Sequence, residues 1–411
     1  PIRHMPPYEV LDSEFQNPAA KQRRSCSSIS MPGEDVEMIE QYPNDCDNAR
    51  VWNGQPGHYE AWYLTFNHRP SGMGFWIRYS LDAPLARVGS PYAQLWFAAF
   101  DIPKAGALLA PCHVGASAPH HFGGRPGGDA PRRDVLSRTF AVNQKLPIHR
   151  MSAAADPFEL RIDESVLTHC RAKGRIAGAG HEAQWDLSWD PCPTTHRHLP
   201  AFAYQVPGLA RTRVLSPNLD VRLGGMVRID GETLTLSGEP ACQSHLWGSK
   251  HADAWAWGHC NAFDDRDDAV LESLTVGLSP AGVALPSLTF LSLRLDGETL
   301  IFTSPIDVVR TSGHFGTARY RFAAADARAR ISGVFSCHPD EMVTAEYADP
   351  DGTRSYCANT EIASLRIDVY RRSSWRSRWL EQARLVATGT AHFEVAGRIP
   401  DQAVARRHTP V

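Results

Sequence analysis

Excess charge of one sign, paired cysteines and long apolar runs are all missing from this chain, and each absence removes a class of function. With 42 Lys and Arg against 45 Asp and Glu, the net charge is −3. No basic face is expected for a nucleic acid, and none marks an anionic membrane as the main partner. The nine cysteines are odd in number and not closely paired, so they read as reduced core residues and not as a disulfide framework. The longest weakly polar run, Ala105 to Ala116, is broken by Pro111 and His113 and is too short to span a bilayer. Residues Pro1 to Pro7 carry no apolar h-region, so no secretory signal is read there and the cytoplasm is the expected compartment. There is no Gly-Lys-Ser/Thr loop and no Gly-x-Ser-x-Gly elbow, and Gly178-Ala179-Gly180 runs into strand-like His181–Trp189 where a dinucleotide loop would open a helix.

What the chain does have is period-two alternation. In residues 254 to 263, Trp255, Trp257, His259, Asn261 and Phe263 share one face of a strand, and Ala254, Ala256, Gly258, Cys260 and Ala262 take the other. Two indoles, an imidazole and an amide on one surface are the chemistry of a small-molecule pocket wall. A chain of 411 residues suggests two domains. Residues 1–50 mix Pro, Ser, Asn and charges and read as a polar leader, extended over the surface or partly disordered. Aromatic-rich strands at Tyr59–Phe66 and Gly74–Leu81 form a hairpin, and Ala93–Phe100 follows. Lys104–Arg133, rich in Gly, Pro and His, reads as a long loop of the kind that covers a cavity mouth.

Further strands fit 136–142, 158–163, 166–171, 174–179 and 183–189. The five prolines of Pro191–Pro217 make it the candidate connection between halves, giving one domain over 51–205 and a second over 206–411. Asp230-Gly231 and Asp296-Gly297 are hairpin turns between alternating runs. Strands also fit 319–322, 329–337, 342–347, 362–370 and 389–395. Ser373–Val386, with Trp375, Trp379 and Ala383 at i, i+4 and i+8, predicts one C-terminal amphipathic helix. The fold class is therefore all-β, two stacked antiparallel barrels with that helix.

Glu60 shares a strand face with Trp62, Leu64 and Phe66. Desolvation there would raise its pKa and make it a candidate general acid; the competing reading is a structural pair with Arg78 across the hairpin. His245, sharing a face with Gln243 and Trp247, could reach the same cavity as His259 and form an acid/base or orienting pair, or each could be a satisfied core residue. A zinc site is disfavoured because His259 and Cys260 face apart and no His-x-x-x-His pattern occurs. Arg371, Arg372, Arg376 and Arg378 beside Trp375 and Trp379 fit either an anionic ligand or a solvated helix face.

The motifs themselves carry a resemblance. Tyr59-Glu60-Ala61-Trp62-Tyr63 is similar to the Glu-Trp-Trp-Tyr strand of the tandem lipocalin-like proteins that include carotenoid 1,2-hydratases, AttH-like proteins and, more distantly, tocopherol cyclases. His245-Leu246-Trp247-Gly248 followed by Trp255-Ala256-Trp257 resembles the group's His-x-Trp-Gly and Trp-x-Trp run. His259-Cys260-Asn261-Ala262-Phe263 resembles the Gln-Cys-Asn-x-Phe segment of tocopherol cyclases. Ser244 stands where carotenoid hydratases tend to carry an Asp.

The resemblance spans most of residues 55–400. It implies two calycin-like barrels, no cofactor, and acid-initiated hydration, cyclisation or isomerisation of an isoprenoid or polyene double bond. The expected catalytic residues are Glu60, His245 and His259. Trp62, Tyr63, Arg78, Trp247, Trp255, Trp257 and Asn261 are the expected lining of a hydrophobic substrate's cavity. A non-catalytic carrier of a hydrophobic ligand shares the same aromatic wall, and a packed-shut structural protein is a third reading. Transient membrane contact and oligomeric state are left open.

Overall fold

The computed structural model describes residues 44–101, 139–206, 209–279, 283 and 285–405. The expected loop over Lys104–Arg133 and most of the expected leader lie outside the described residues. Twelve strands make the first sheet: β1 (His58–His68), β2 (Met73–Ala83), β3 (Tyr92–Phe100), β4 (Phe140–Pro147), β5 (Met151–Ala155), β6 (Phe158–Ile162), β7 (Ser165–Thr168), β8 (Arg171–Gly178), β9 (His181–Ser188), the short β10 (His196–Arg197), β11 (Thr212–Ile229) and β12 (Glu232–Gly248). The second sheet contains β13 (Ala254–Cys260), β14 (Val270–Gly277), β15 (Leu288–Leu295), β16 (Glu298–Phe302), β17 (Thr311–Gly316), β18 (Arg319–Ala325), β19 (Ala329–Ser336), β20 (Val343–Ala348), β21 (Arg354–Arg371) and β22 (Leu380–Gly397). All pairings are antiparallel. The protein is mostly β, with two large sheets of lipocalin-like form.

The Asp-Gly turns fall where the sequence puts them, with φ of 50° and 89° at Asp230-Gly231 and 54° and 74° at Asp296-Gly297. Positive φ at both central residues matches the twist of a two-residue hairpin. The first sheet continues past 205: β11 pairs with β9 and β12 pairs with β1. The proline-rich stretch 191–217 accordingly contributes β10 and the start of β11 to that sheet, and the chain passes to the second sheet only after Gly248.

Burial shows where the sheets face each other. In β8 and β9 buried and exposed residues alternate, as in sheets wetted on one side. β1, β2 and β13 are buried on nearly every residue, so both of their faces are covered. The inner core of the first barrel takes Trp62, Leu64, Phe66, Phe75, Ile77 and Phe97. That of the second takes Ala256, Cys260, Tyr320, Phe322, Phe335 and Phe393. The remaining faces meet in a separate aromatic layer containing Trp76 and Trp96 from the first sheet and Trp255, Val343 and Cys357 from the second.

The helix expected over Ser373–Val386 is corrected by the structure. Residues 373–379 form bends and a turn, and β22 begins at Leu380. Leu385 and Ala387 alternate inward to the second core, and pairing with β21 along both 18-residue strands satisfies the backbone as a helix would. Trp375 is exposed and Trp379 lies under Arg372, 4.2 Å from its ring centroid. Their helical spacing has no packing counterpart.

Candidate active site between the barrels

Period two fixes which residues share a face but not which face looks inward. Glu60 pairs with Trp247, and Trp62 with His245, on the inner face of the first barrel. Glu60 is fully buried and accepts hydrogen bonds from the backbone N–H of Val51 (2.6 Å) and Trp52 (2.9 Å), from His58 Nε2 (3.2 Å) and from His245 Nε2 (2.9 Å). Burial pushes this carboxyl up, but the histidine and backbone donors outweigh it and bring it to about 2. The expectation of a raised pKa at Glu60 is thus corrected: four donors replace the water that burial removes. Nor does Glu60 meet Arg78, which lies opposite Tyr63 on the outer face.

The group around Glu60 instead fastens the end of the leader. His245 Nδ1 bonds the Asp47 carbonyl at 2.8 Å, and the Trp62 indole donates to the Asn48 carbonyl at 2.8 Å. Trp62 stacks on His245 with ring centroids 4.7 Å apart, and half-buried Trp247 lies tilted against the same imidazole at 4.9 Å. Asn48, itself fully buried, exchanges side-chain bonds with Gln243. Of residues 44–48, expected in a surface leader, Asn44, Asp45 and Asn48 are therefore buried against the barrel, while Cys46 is exposed.

The indole face of β13 looks elsewhere. Ala256, Gly258 and Cys260 point into the second barrel, where a Cβ on Gly258 would come within 2.4 Å of the Phe335 ring. The interior is too full for indoles. Trp255, Trp257 and His259 therefore turn outward onto the first barrel, and His245 and His259 line different spaces, contrary to the shared cavity expected from sequence.

On this outer face two rungs cross four strands and a third crosses three. The first is Cys357–Ala396–Trp255–Val276, the second Asn359–Glu394–Trp257–Leu274, and the third His392–His259–Glu272. Glu394 is held by the Trp255 indole N–H at 2.7 Å and the Cys357 thiol at 3.5 Å. Burial raises its pKa, and these two donors offset the shift only in part. Glu272 accepts from the Trp257 indole and lies 2.6 Å from His198 Nε2; burial pushes it up, but His198 brings it below its usual value.

The first barrel supplies the opposing wall. Tyr63, half-buried, meets Trp257 edge-on at 5.9 Å. The Arg78 guanidinium sits 4.2 Å from the Tyr347 ring centroid with its Nη1 unpartnered among the described residues. Further along β2, Asp82 lines a half-open cavity of about 530 Å³ with His58, Tyr92 and Lys145 of the first barrel and Asp349 of the second. Burial lifts Asp82 to about 6 against the pull of Arg78 and Lys145. Asn261 lies past the end of β13, where its amide donates to Asp220 at 2.9 Å and to the Ala241 carbonyl at 3.0 Å, joining the two sheets.

Sequence reasoning found Tyr63, Arg78, Trp255, Trp257 and His259 in this layer, but missed Glu272, Glu361, His392, Glu394 and Tyr347. A signal was present in β22, where Thr390, His392 and Glu394 alternate with Ala391, Phe393 and Val395. Among the described residues no group of three or more His, Cys, Asp and Glu is arranged to hold a metal ion, and no helix is long and apolar enough to cross a membrane.

Two stacked lipocalin-like barrels with an ionisable aromatic layer between them define the class. The chain belongs to the tocopherol cyclase-like family, whose model matches residues 56–397. The uncharacterised protein Rv0493c of Mycobacterium tuberculosis is 24% identical over 372 residues, covering 87% of this chain and 92% of that protein. Among solved structures, an AttH protein (NE1406) from Nitrosomonas europaea matches with a TM-score of 0.51 at 12% identity over 91% of this chain and 100% of its own. Kievitone hydratase from Nectria haematococca matches with a TM-score of 0.43 at 8% identity over 83% of this chain and 88% of its own. Family membership supports an isoprenoid-related cyclase-like class of activity.

Proposed function

We propose that this protein is a cofactor-independent enzyme that protonates a carbon–carbon double bond of an isoprenoid or polyene substrate held between its barrels, leading to cyclisation, hydration or isomerisation. Glu394 is the acid. The observation that carries this is its environment: a half-buried carboxyl with one indole and one thiol as donors, raised in pKa, directly opposite Trp257 in the ladder and diagonal to Trp255. A carboxyl whose pKa is raised holds its proton to higher pH than a solvated one and can deliver it to an alkene.

The indole faces of Trp255 and Trp257 and the phenol ring of Tyr63 stabilise the positive charge that develops, each by about 0.5 to 2 kcal/mol when desolvated. Arg78 Nη1 is free to hold a carbonyl or hydroxyl oxygen of the substrate. The cavity beside Asp82 opens between residues of both barrels and is the route of entry. Glu60 and His245 serve this site by fixing residues 47–52 across the end of the first barrel, a positioning role.

The test is product formation. Lipid extract containing isoprenoid and polyene compounds, incubated with the protein, yields a new species by mass spectrometry, and Glu394→Gln retains the same compound without converting it. Retention without conversion by the wild-type protein supports a carrier instead. Unchanged turnover in Glu394→Gln removes Glu394 from the role.

A further inference from the structure

The third rung carries a proton count that the acid step leaves unexplained. His259 Nε2 lies 3.0 Å from the Leu219 carbonyl, which only accepts, so this nitrogen donates. His392 Nε2 lies 3.0 Å from Asn67 Oδ1, and the orientation of that amide is fixed because its Nδ2 donates to the Glu361 carbonyl at 2.6 Å. This second nitrogen donates too. Between the rings the two Nδ1 atoms stand 3.1 Å apart, and a hydrogen bond there needs a third proton. Two neutral imidazoles carry only two. Every neutral assignment leaves two acceptors face to face, and turning the Asn67 amide merely moves the conflict to the Glu361 carbonyl.

We infer that His259 and His392 form a singly charged imidazole–imidazolium pair with Glu361 as counter-ion, and that this unit stores the proton that recharges Glu394. The second half rests on the function proposed above. Glu361 Oε2 is 3.8 Å from His392 Nδ1, and both residues are fully buried. Moving one proton from the Glu361 carboxyl to the pair breaks an O–H bond and forms an N–H bond, leaving adjacent opposite charges and a hydrogen bond at each of the four ring nitrogens, while both Glu361 oxygens have no hydrogen-bond partner among the described residues. Burial works against this, pushing His259 and His392 down and Glu361 up; the Coulomb attraction and the completed bonds work for it.

The surroundings add further charge. Glu272, across the ladder from His259, and Asp220 favour a cation there, while His198 and His196 oppose it. Glu394 is the next residue along the same face of β22, about 7 Å from His392. The chain of bonds also crosses between barrels at both ends, through Leu219 and Asn67, so the pair ties the walls of the site together.

Nitrogen-15 NMR of the full chain with labelled histidine tests the charge without any substrate. The expected result is a pair of rings with both Nε2 atoms protonated at neutral pH and a scalar coupling between their Nδ1 atoms across the shared proton. An unprotonated Nε2 on either ring, or no such coupling, overturns the inference while leaving Glu394 untouched. Glu361→Gln keeps the side-chain shape and should lower the pH at which the pair loses its proton by about one unit or more; an unmoved midpoint removes Glu361 as counter-ion. In the same variant the alkaline limb of turnover should move down with the NMR midpoint. A midpoint that moves while the limb stays overturns the proton-store role.

Discussion

Glu60, fully buried, and Glu394, half-buried, are both desolvated carboxyls on β-strands beside tryptophan, yet their surroundings drive them in opposite directions. Glu60 collects two backbone N–H groups and two imidazoles and falls to about 2. Glu394 has one indole N–H and one thiol and is raised. Desolvation pushes both upward, so donor supply decides the sign. A desolvated carboxylate with four donors stays ionised and anchors its neighbours; one with two donors is raised, as the acid role proposed for Glu394 requires.

The largest effect that could break this contrast is catalytic. Glu394→Gln keeps the Trp255 contact but has no proton to give, and turnover should drop by about 10² to 10⁴ with ligand affinity nearly intact. Steady-state kinetics and a separate binding titration distinguish the two quantities. Glu60→Ala should instead act on folding: it strands His245 and two backbone donors in the barrel, at a cost of about 3 to 5 kcal/mol in denaturant unfolding.

The pH dependence sharpens the contrast, because the two groups have opposite linkage. With its folded pKa near 2 and the unfolded value near 4.5, Glu60 contributes stability above the unfolded value, lost as pH falls through that window. Glu394 keeps its proton in the folded state after the unfolded chain has released its own, so it contributes a loss of stability as pH rises from the unfolded value towards the folded one. Urea unfolding across pH should show Glu60→Gln flattening the acid limb and Glu394→Gln flattening the decline above it. The reverse pattern would contradict both assignments.

A smaller effect separates the two sides of β13. Gly258→Ala drives a methyl group into Phe335 and should lower stability by about 1 to 3 kcal/mol. Ligand affinity should stay the same, since the proposed substrate site lies on the opposite face; a matching loss of affinity would put the ligand inside the second barrel.

Much of the architecture was legible because strands declare themselves through period two and hairpins through Asp-Gly. The grouping of Trp255, Trp257 and His259 was readable from alternation alone. Which way that face turned was not, because it depends on how far Phe322, Phe335 and Phe393 fill the second barrel, and those rings come from strands distant in sequence. Glu60 misled for a related reason: the aromatic neighbours along its strand were visible, while its donors Val51, Trp52 and His245 became neighbours only through the fold of residues 47–52 and the pairing of β1 with β12. The false helix at 373–386 arose where indoles happened to recur every four residues in a turn. Glu394 went unnoticed because a lone carboxylate in a terminal strand reads as solvated until its face is known to be buried.

The proposed mechanism requires Glu394 to hold a proton between the barrels at neutral pH. Infrared difference spectroscopy between the wild-type protein and Glu394→Gln measures this directly. A protonated carboxyl C=O band lost in the variant at pH 7 is the predicted result, and a carboxylate band in its place would contradict the account.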